Sequence, residues 1–80
     1  MRTIPFGHAE CQGLPVDYEI LAEEMDGLER YGLRVRYQDE TAEVLNISMS
    51  QRGIQALAEA LVVGSVTPTT LRDVVDDWLY

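Results

Sequence analysis

His8 and Cys11 are the residues of this 80-residue sequence with the most evident chemical potential. An imidazole and a thiol in a His-x-x-Cys pair can bind zinc or act as base and nucleophile. A zinc site needs three or four ligands, and the sequence contains one histidine and one cysteine. Carboxylates or a second copy would have to complete the site. The sequence therefore predicts no metal site and no catalytic pair.

Neighbouring acids such as Glu23-Glu24 and Asp76-Asp77 are candidates for paired carboxylates. General acid–base catalysis needs two carboxyl groups held in different environments of one cleft. Adjacent side chains on a strand or helix point in different directions, so these pairs do not predict such a cleft. The sequence also lacks a glycine-rich phosphate loop and a calcium-loop motif. We predict a protein that is not an enzyme and uses no cofactor.

The charge is strongly acidic, with fourteen acidic residues, six arginines and a net charge of −8. Nucleic acids and anionic membranes are bound mainly through Lys and Arg, so both are disfavoured as partners. The acids are more typical of a solvated surface or of a surface that binds another protein. The candidate partner-binding acidic surface consists of Asp39, Glu40, Glu43, Asp73, Asp76 and Asp77.

The Asp26-Gly27 sequence predicts a β-hairpin, because it is a favoured two-residue hairpin loop. This hairpin positions many of the charged residues. With this loop, each apolar residue on one face meets another apolar residue across the hairpin. On the other face, three acids meet three arginines, which would cancel the field of a basic patch. The apolar pairs are Ala22–Tyr31, Ile20–Leu33, Tyr18–Val35 and Val16–Tyr37, and the charged pairs are Glu23–Arg30, Glu19–Arg34 and Asp17–Arg36.

A helix is the competing interpretation of the first hairpin segment. Tyr18, Leu21, Met25 and Leu28 follow a helical spacing, and Glu, Leu and Ala favour helix. We prefer the strand, because a helix would leave the Asp26-Gly27 loop and the charge pairing as coincidences.

The rest of the sequence predicts an α+β fold in one small domain at 14–80, after a flexible leader at 1–13. The leader has proline, two glycines and neither hydrophobic period. The predicted architecture is a three-stranded antiparallel β-meander followed by two α-helices packed on one face. The strands are expected at about 15–25, 29–38 and 42–47, and the helices at about 49–63 and 68–79.

Capping signals delimit the two helices. Ser48 and Gln51 have capping-box spacing, and Gly64 is expected to end the first helix in a left-handed conformation. Thr67 is the expected N-cap of the second helix, with Pro68 as its first residue. Each helix has one apolar stripe: Ile54, Leu57, Ala58, Leu61 and Val62 in the first, and Leu71, Val74, Val75, Trp78 and Leu79 in the second.

Aromatic residues are assigned mainly to the core. Tyr18, Tyr31 and Tyr37 fall on the apolar face of the hairpin, and Trp78 falls on the stripe of the second helix. Trp78 and Tyr80 together could instead form a binding hot spot, and Tyr80 is left unassigned.

Cysteine content and hydropathy indicate a cytoplasmic protein. Cys11 cannot form an internal disulfide, which fits a reducing compartment. No apolar segment approaches the roughly 20 residues that span a bilayer, and the first residues lack the apolar core of a signal peptide.

The closing segment, Thr67–Leu79, resembles the end of a family of small uncharacterised proteins of anaerobic Gram-positive bacteria, a domain of unknown function. The segments Tyr31-Gly32-Leu33 and Asn46-Ile47-Ser48 are also similar to that family. The resemblance covers about 15–80. It implies the same fold and brings no activity, cofactor or partner.

These observations favour a regulatory or protein-interaction module without catalytic activity. The partner would be another protein, or a second copy in a homodimer formed through a sheet edge at the first or third predicted strand. The alternative is an acidic nucleic-acid mimic that occupies the basic site of a nucleic-acid-binding protein. The mimic requires its acids in a row on one surface.

Overall fold

The computed structural model describes residues 1–79 and has an α+β architecture, with a four-stranded antiparallel sheet and two helices on one face. The strands lie in the sheet in chain order, so the topology is a meander. A short 3-10 turn at Pro68–Thr70 precedes the second helix. The strands are β1 (Arg2–Cys11), β2 (Leu14–Met25), β3 (Leu28–Tyr37) and β4 (Glu40–Ser48), and the helices are α1 (Gln51–Val63) and α2 (Leu71–Leu79).

The sheet has four strands and not the three that the sequence predicts, because β1 is an additional strand. The residues assigned to a flexible leader contain this additional strand, which pairs with β2. Gln12 and Gly13 join the two strands with φ of 53° and 79°, the positive values that a type I′ loop requires. In the sequence Pro5 suggests irregular structure, but an edge strand next to a bulge accepts a proline. The strand predicted to be first, now β2, is internal.

The hairpin register predicted from Asp26-Gly27 is confirmed. All seven predicted pairs between β2 and β3 face each other as expected, from Glu23 opposite Arg30 to Val16 opposite Tyr37. Asp26 and Gly27 have φ of 55° and 80°, again the type I′ geometry. The competing helix for the first segment is therefore wrong.

The sheet face that packs against the helices, which we call the helix face, holds the main core. It carries the alternate side chains of β2 that include Tyr18 and the alternate side chains of β3 that include Leu33. Burial of this apolar surface is the main stabilising contribution to the fold. The buried cluster is Val16, Tyr18, Ile20, Ala22, Tyr31, Leu33, Val35, Ile47, Ile54, Leu57, Ala58, Leu61, Leu71 and Val75.

The helix termini differ from the sequence prediction. Ser50 is the N-cap of α1, and its hydroxyl accepts from the Gly53 amide at 3.0 Å. Ser48 instead accepts from the Ser50 amide at 3.0 Å, so the predicted capping box is wrong. Gly64 has φ of −85°, and the left-handed residue is Ser65 with φ of 49°. The left-handed residue therefore follows one position later than predicted.

Trp78 is not a core residue, which corrects the sequence prediction. Its relative exposure is 41%, and that of Leu79 is 52%. Helix α2 has nine residues and reaches the core through Leu71 and Val75, so its last turn buries no side chain. Tyr18 and Tyr31 are buried as predicted, and Tyr37 is half-buried. Tyr80 lies outside the described residues.

Tyr18 links the sheet to the segment between the helices. Its hydroxyl donates a hydrogen bond to the Val66 carbonyl at 2.7 Å. Burial, with a smaller contribution from Cys11, raises the pKa of Tyr18 to about 12. The ordinary tyrosine value is 10.0, so between these pH values the folded state binds more protons than the unfolded state.

The substitution Tyr18→Phe tests this link. We expect a loss of about 1 kcal/mol in the free energy of unfolding at neutral pH, the net value of one hydrogen bond. In the wild type, stability should fall as pH rises from about 10 to about 12, and the variant should lack part of this fall. Urea titrations at pH 7 and across the alkaline range measure both effects. An unchanged midpoint at pH 7 would contradict the hydrogen bond.

The sheet face opposite the helices, which we call the open face, has one buried apolar side chain on β2. Leu21 belongs to this face, is fully buried and lies outside the main core cluster. Gly32 lies directly opposite it on β3. A Cβ atom on Gly32 would stand 2.5 Å from the Val44 carbonyl oxygen and 2.9 Å from the Leu45 Cα. The backbone of β4 therefore occupies the space above Gly32.

A bulge in β4 produces this close approach. Tyr31 faces Ser48 and Leu33 faces Val44, so three residues of β4 stand opposite the single residue between them. Asn46, inside the bulge, has φ of 58°, a conformation that asparagine adopts more readily than most residues. We infer that the bulge covers Leu21 from the open face, where no helix does so.

Candidate functional site

The six acids of the predicted partner-binding surface do not share one face. Glu40 lies on the helix face, where its carboxylate accepts from the Thr69 hydroxyl at 3.4 Å, next to the start of α2. Glu43 lies on the open face and pairs with Arg34 at 2.5 Å. Asp39 is in the turn between β3 and β4. This separation argues against the nucleic-acid mimic, which needs its acids in a row.

The acids of α2 form the more compact part of that surface. Asp73, Asp76 and Asp77 are all exposed, and no basic side chain within residues 1–79 forms an ion pair with them. Asp73 lies in the first turn, where a negative charge is favourable. The other two lie near the carboxyl end, where the helix dipole opposes a negative charge. These two positions therefore cost stability.

The substitution Asp77→Lys tests the cost of these charges. It removes a like-charge i,i+4 pair with Asp73 and places a cation near the carboxyl end of α2. We expect the free energy of unfolding to rise by about 0.5–1 kcal/mol at low salt, and the gain to shrink in 1 M salt. The matched control is Glu59→Lys on the exposed side of α1. Destabilisation by Asp77→Lys would show that this carboxylate has a structural partner.

Charged side chains form a connected network at the centre of the open face. Glu19 contacts Arg34 at 3.6 Å and Arg36 at 2.9 Å, and both Glu19 and Arg34 are largely buried. The predicted pair Glu19–Arg34 is present, and Arg34 also pairs with Glu43. The hydrogen bond that Arg34 donates to the Glu43 carboxylate raises the pKa of Arg34, with burial acting in the opposite direction. The arginine is held in place by acids on both sides.

The two other predicted ion pairs are wrong, although the residues face each other in register. Arg30 donates to the Asn46 side-chain oxygen at 3.0 Å, so it ties the β4 bulge to β3 and not to Glu23. Arg36 pairs with Glu19, and Asp17 has no ion-pair partner within the described part of the chain. Long side chains reach diagonal neighbours, so facing positions do not fix ion pairs.

His8 and Cys11 belong to opposite faces of β1. His8 faces Asp17 on the open face, whereas Cys11 faces Leu14 on the helix face. The Cys11 carbonyl accepts from the Tyr37 hydroxyl at 3.1 Å. No group of three metal-ligating side chains occurs in residues 1–79. These two residues therefore cannot act together in one site.

Strand β1 forms an edge of the sheet with a free backbone. Residues flanking a type I′ loop form a hydrogen-bonded pair, and the pairs then alternate along the strands. The alternation starts from Cys11 opposite Leu14 and shifts by one residue at the irregularity between Pro5 and Gly7. It turns the backbone groups of Thr3, Pro5, His8 and Glu10 away from β2. All side chains from Met1 to Phe6 are exposed. The edge presents donors and acceptors to solvent.

A bulge divides this edge into two halves. Pro5 faces Glu19 and Gly7 faces Tyr18, so Phe6 is the additional residue. An open groove of about 360 Å³ lies beside the bulge and is lined by Pro5, Phe6, Gly7, His8, Asp17, Tyr18, Glu19 and Arg36. Proline and a bulge are two devices that limit pairing along an exposed strand.

The edge of β1 is the candidate site that the sequence analysis missed. The missed signal was Gln12-Gly13, which suits a two-residue loop and lies between alternating residues of both strands. The hydrogen-bonding groups are complete at His8 and Glu10, whereas Pro5 lacks an amide hydrogen. The second half of β1 is therefore the better acceptor of an added strand.

Comparisons with known proteins extend the resemblance noted from the sequence. A profile of a family of unknown function, DUF6514, matches residues 6–80, so the match includes the second half of β1. No curated protein and no solved structure matches the chain. The described residues contain no helix that is long and apolar enough to cross a membrane. The similar segments Tyr31-Gly32-Leu33 and Asn46-Ile47-Ser48 meet at the β4 bulge.

Proposed function

We propose that the protein, which belongs to the DUF6514 family of unknown function, is a small non-catalytic module that binds another protein through the free edge of β1. The observation that carries the proposal is the unpaired backbone of an exposed edge strand. Such an edge can accept an extended segment of a partner as an additional strand. The unpaired Cys11 supports a cytoplasmic location.

The opposite edge of the sheet is less suited to this role. Strand β4 is interrupted by its bulge, and α2 packs against β4. Its first residue, Glu40, bonds to Thr69 in the turn that precedes α2. By contrast, β1 offers the uninterrupted segment Gly7–Cys11.

Affinity capture with an edge-blocked variant tests the proposal. Glu10→Pro removes one outward amide hydrogen and leaves the bonds from β1 to β2 in place, because Glu10 faces Pro15 at a position without hydrogen bonds. The matched control, Glu10→Gln, removes the same charge and keeps the amide. The wild type and the two variants are used as baits on extracts of the native organism. The captured proteins are identified by mass spectrometry.

We expect the wild-type and Glu10→Gln baits to capture a partner protein that the Glu10→Pro bait does not capture. Circular dichroism of the three baits must show the same fold. Capture that is equally strong with Glu10→Pro would place the binding site elsewhere. No specific capture by any bait would contradict a binding function.

A further inference from the structure

We infer that a second copy of the chain docks on the free edge of β1, with His8 of each copy opposite Glu10 of the other. This inference deepens the proposed function, because it names one occupant of the same edge. In an antiparallel pair of edges, only residues with outward backbone groups can form hydrogen-bonded pairs. On β1 these residues are Thr3, Pro5, His8 and Glu10.

Two of the possible registers use the outward groups of both His8 and Glu10 in each copy. One places Thr3 opposite Glu10 and Pro5 opposite His8, and so uses both halves of β1. Pro5 has no amide hydrogen, so the carbonyl of each facing His8 would remain without a donor. In addition, the two bulges at Phe6 would meet at the symmetry axis. The long register is therefore disfavoured.

The shorter register centres on Ala9 and satisfies every outward group in the segment Gly7–Cys11. His8 and Glu10 form two hydrogen-bonded pairs across the axis, with four backbone bonds in total by the rule for antiparallel strands. All facing residues then lie on the same sheet face: His8 and Glu10 on the open face, and Ala9 on the helix face. The two-fold axis makes the contact self-complementary.

Hydrogen-bonding complementarity of the facing side chains supports this register. The two copies carry the same net charge of −8, and general repulsion opposes association. At the edge, however, each His8 imidazole meets a Glu10 carboxylate, and both side chains are exposed and without ion-pair partners within residues 1–79. An imidazole N–H can donate a hydrogen bond to a facing carboxylate, and this cross-strand pair occurs twice. Gly7 and Ala9 are small and leave room at the axis.

Sedimentation equilibrium of the purified full chain tests the inference. We expect the wild type to show reversible, concentration-dependent dimer formation at micromolar to millimolar protein. His8→Glu places two carboxylates opposite each other at both pairs, and the dimer dissociation constant should rise at least tenfold. The double variant His8→Glu/Glu10→His exchanges the partners and should restore dimer formation. Thr3→Glu, on the same edge outside the paired segment, is the matched control and should dimerise like the wild type.

A wild-type chain that remains monomeric at millimolar concentration would overturn the inference, as would a dimer that His8→Glu leaves unchanged or that the exchange fails to restore. Identical circular dichroism spectra ensure that the variants fold. The dimer is measured with purified protein alone, whereas heterologous binding is measured by capture. A negative dimer measurement therefore does not contradict binding to a different protein, and a negative capture experiment does not contradict the dimer.

Discussion

Gly32→Ala is expected to lower the free energy of unfolding by about 3 kcal/mol or more, because the added methyl group meets backbone atoms that cannot move independently. The Val44 carbonyl oxygen and the Leu45 Cα lie 2.5 and 2.9 Å from the position of the new Cβ. The β4 bulge would have to lift away from β3, with loss of ladder hydrogen bonds. Urea denaturation followed by circular dichroism measures the change.

Gly7→Ala is the matched control for this substitution. Its Cβ would have only the flexible Val62 side chain nearby, at an ordinary contact distance of 3.5 Å. We expect a change within about 0.5 kcal/mol, since a strand accepts alanine at least as well as glycine. Equal effects of the two substitutions would contradict the close approach of β4 to Gly32.

Leu21→Ala is expected to lower the free energy of unfolding by about 3 kcal/mol, the cost of removing a fully buried leucine and leaving a cavity. The location of the residue makes the result informative. Leu21 faces away from both helices, so a two-layer fold with a solvated open face would expose it. Leu21 is nevertheless completely buried, which we attribute to the β4 bulge.

Leu14→Ala is the control for the leucine substitution, because Leu14 lies on the same strand with a relative exposure of 42%. We expect its effect to stay below about 1 kcal/mol. A Leu21→Ala effect as small as that of Leu14→Ala would show that the open face around Leu21 is accessible to solvent. In that case, the bulge would not act as a cover.

The β2–β3 hairpin and both helices could be predicted because their signals are local. Asp26-Gly27 fixes the loop, and the alternation of apolar residues then fixes the register of the strands. The stripe from Ile54 to Leu61 likewise determines which side of α1 is buried. These elements depend on hydrophobic periodicity and on loop residues, and both can be read from a single sequence.

The remaining features depend on contacts between distant segments. Strand β1 was missed because Pro5 breaks the usual pattern of a strand, and its edge position, which tolerates proline, is visible only in the sheet. The β4 bulge redirects Arg30 to Asn46, and the meander brings Glu43 next to Arg34. Ion pairs predicted only from residues that face each other in the hairpin register therefore include wrong partners.

The candidate site could be predicted least, because the predicted acids are divided by the sheet. Glu43 is neutralised on the open face, whereas Asp76 and Asp77 remain exposed on α2. The edge of β1 is a candidate because Arg2–Cys11, predicted to be part of a flexible leader, form an edge strand of the sheet. The site is defined mainly by backbone groups, and side-chain motifs carry little information about it.

Amide hydrogen exchange along β1 tests the central claim most directly. In dilute, monomeric protein we expect the outward amides of Thr3, His8 and Glu10 to exchange rapidly. The inward amides of Ile4, Gly7 and Ala9 should be protected by their bonds to β2. Uniformly rapid exchange would show that β1 does not belong to the sheet. Uniform protection would show that its edge is already covered, and either result would contradict a free edge as the binding site.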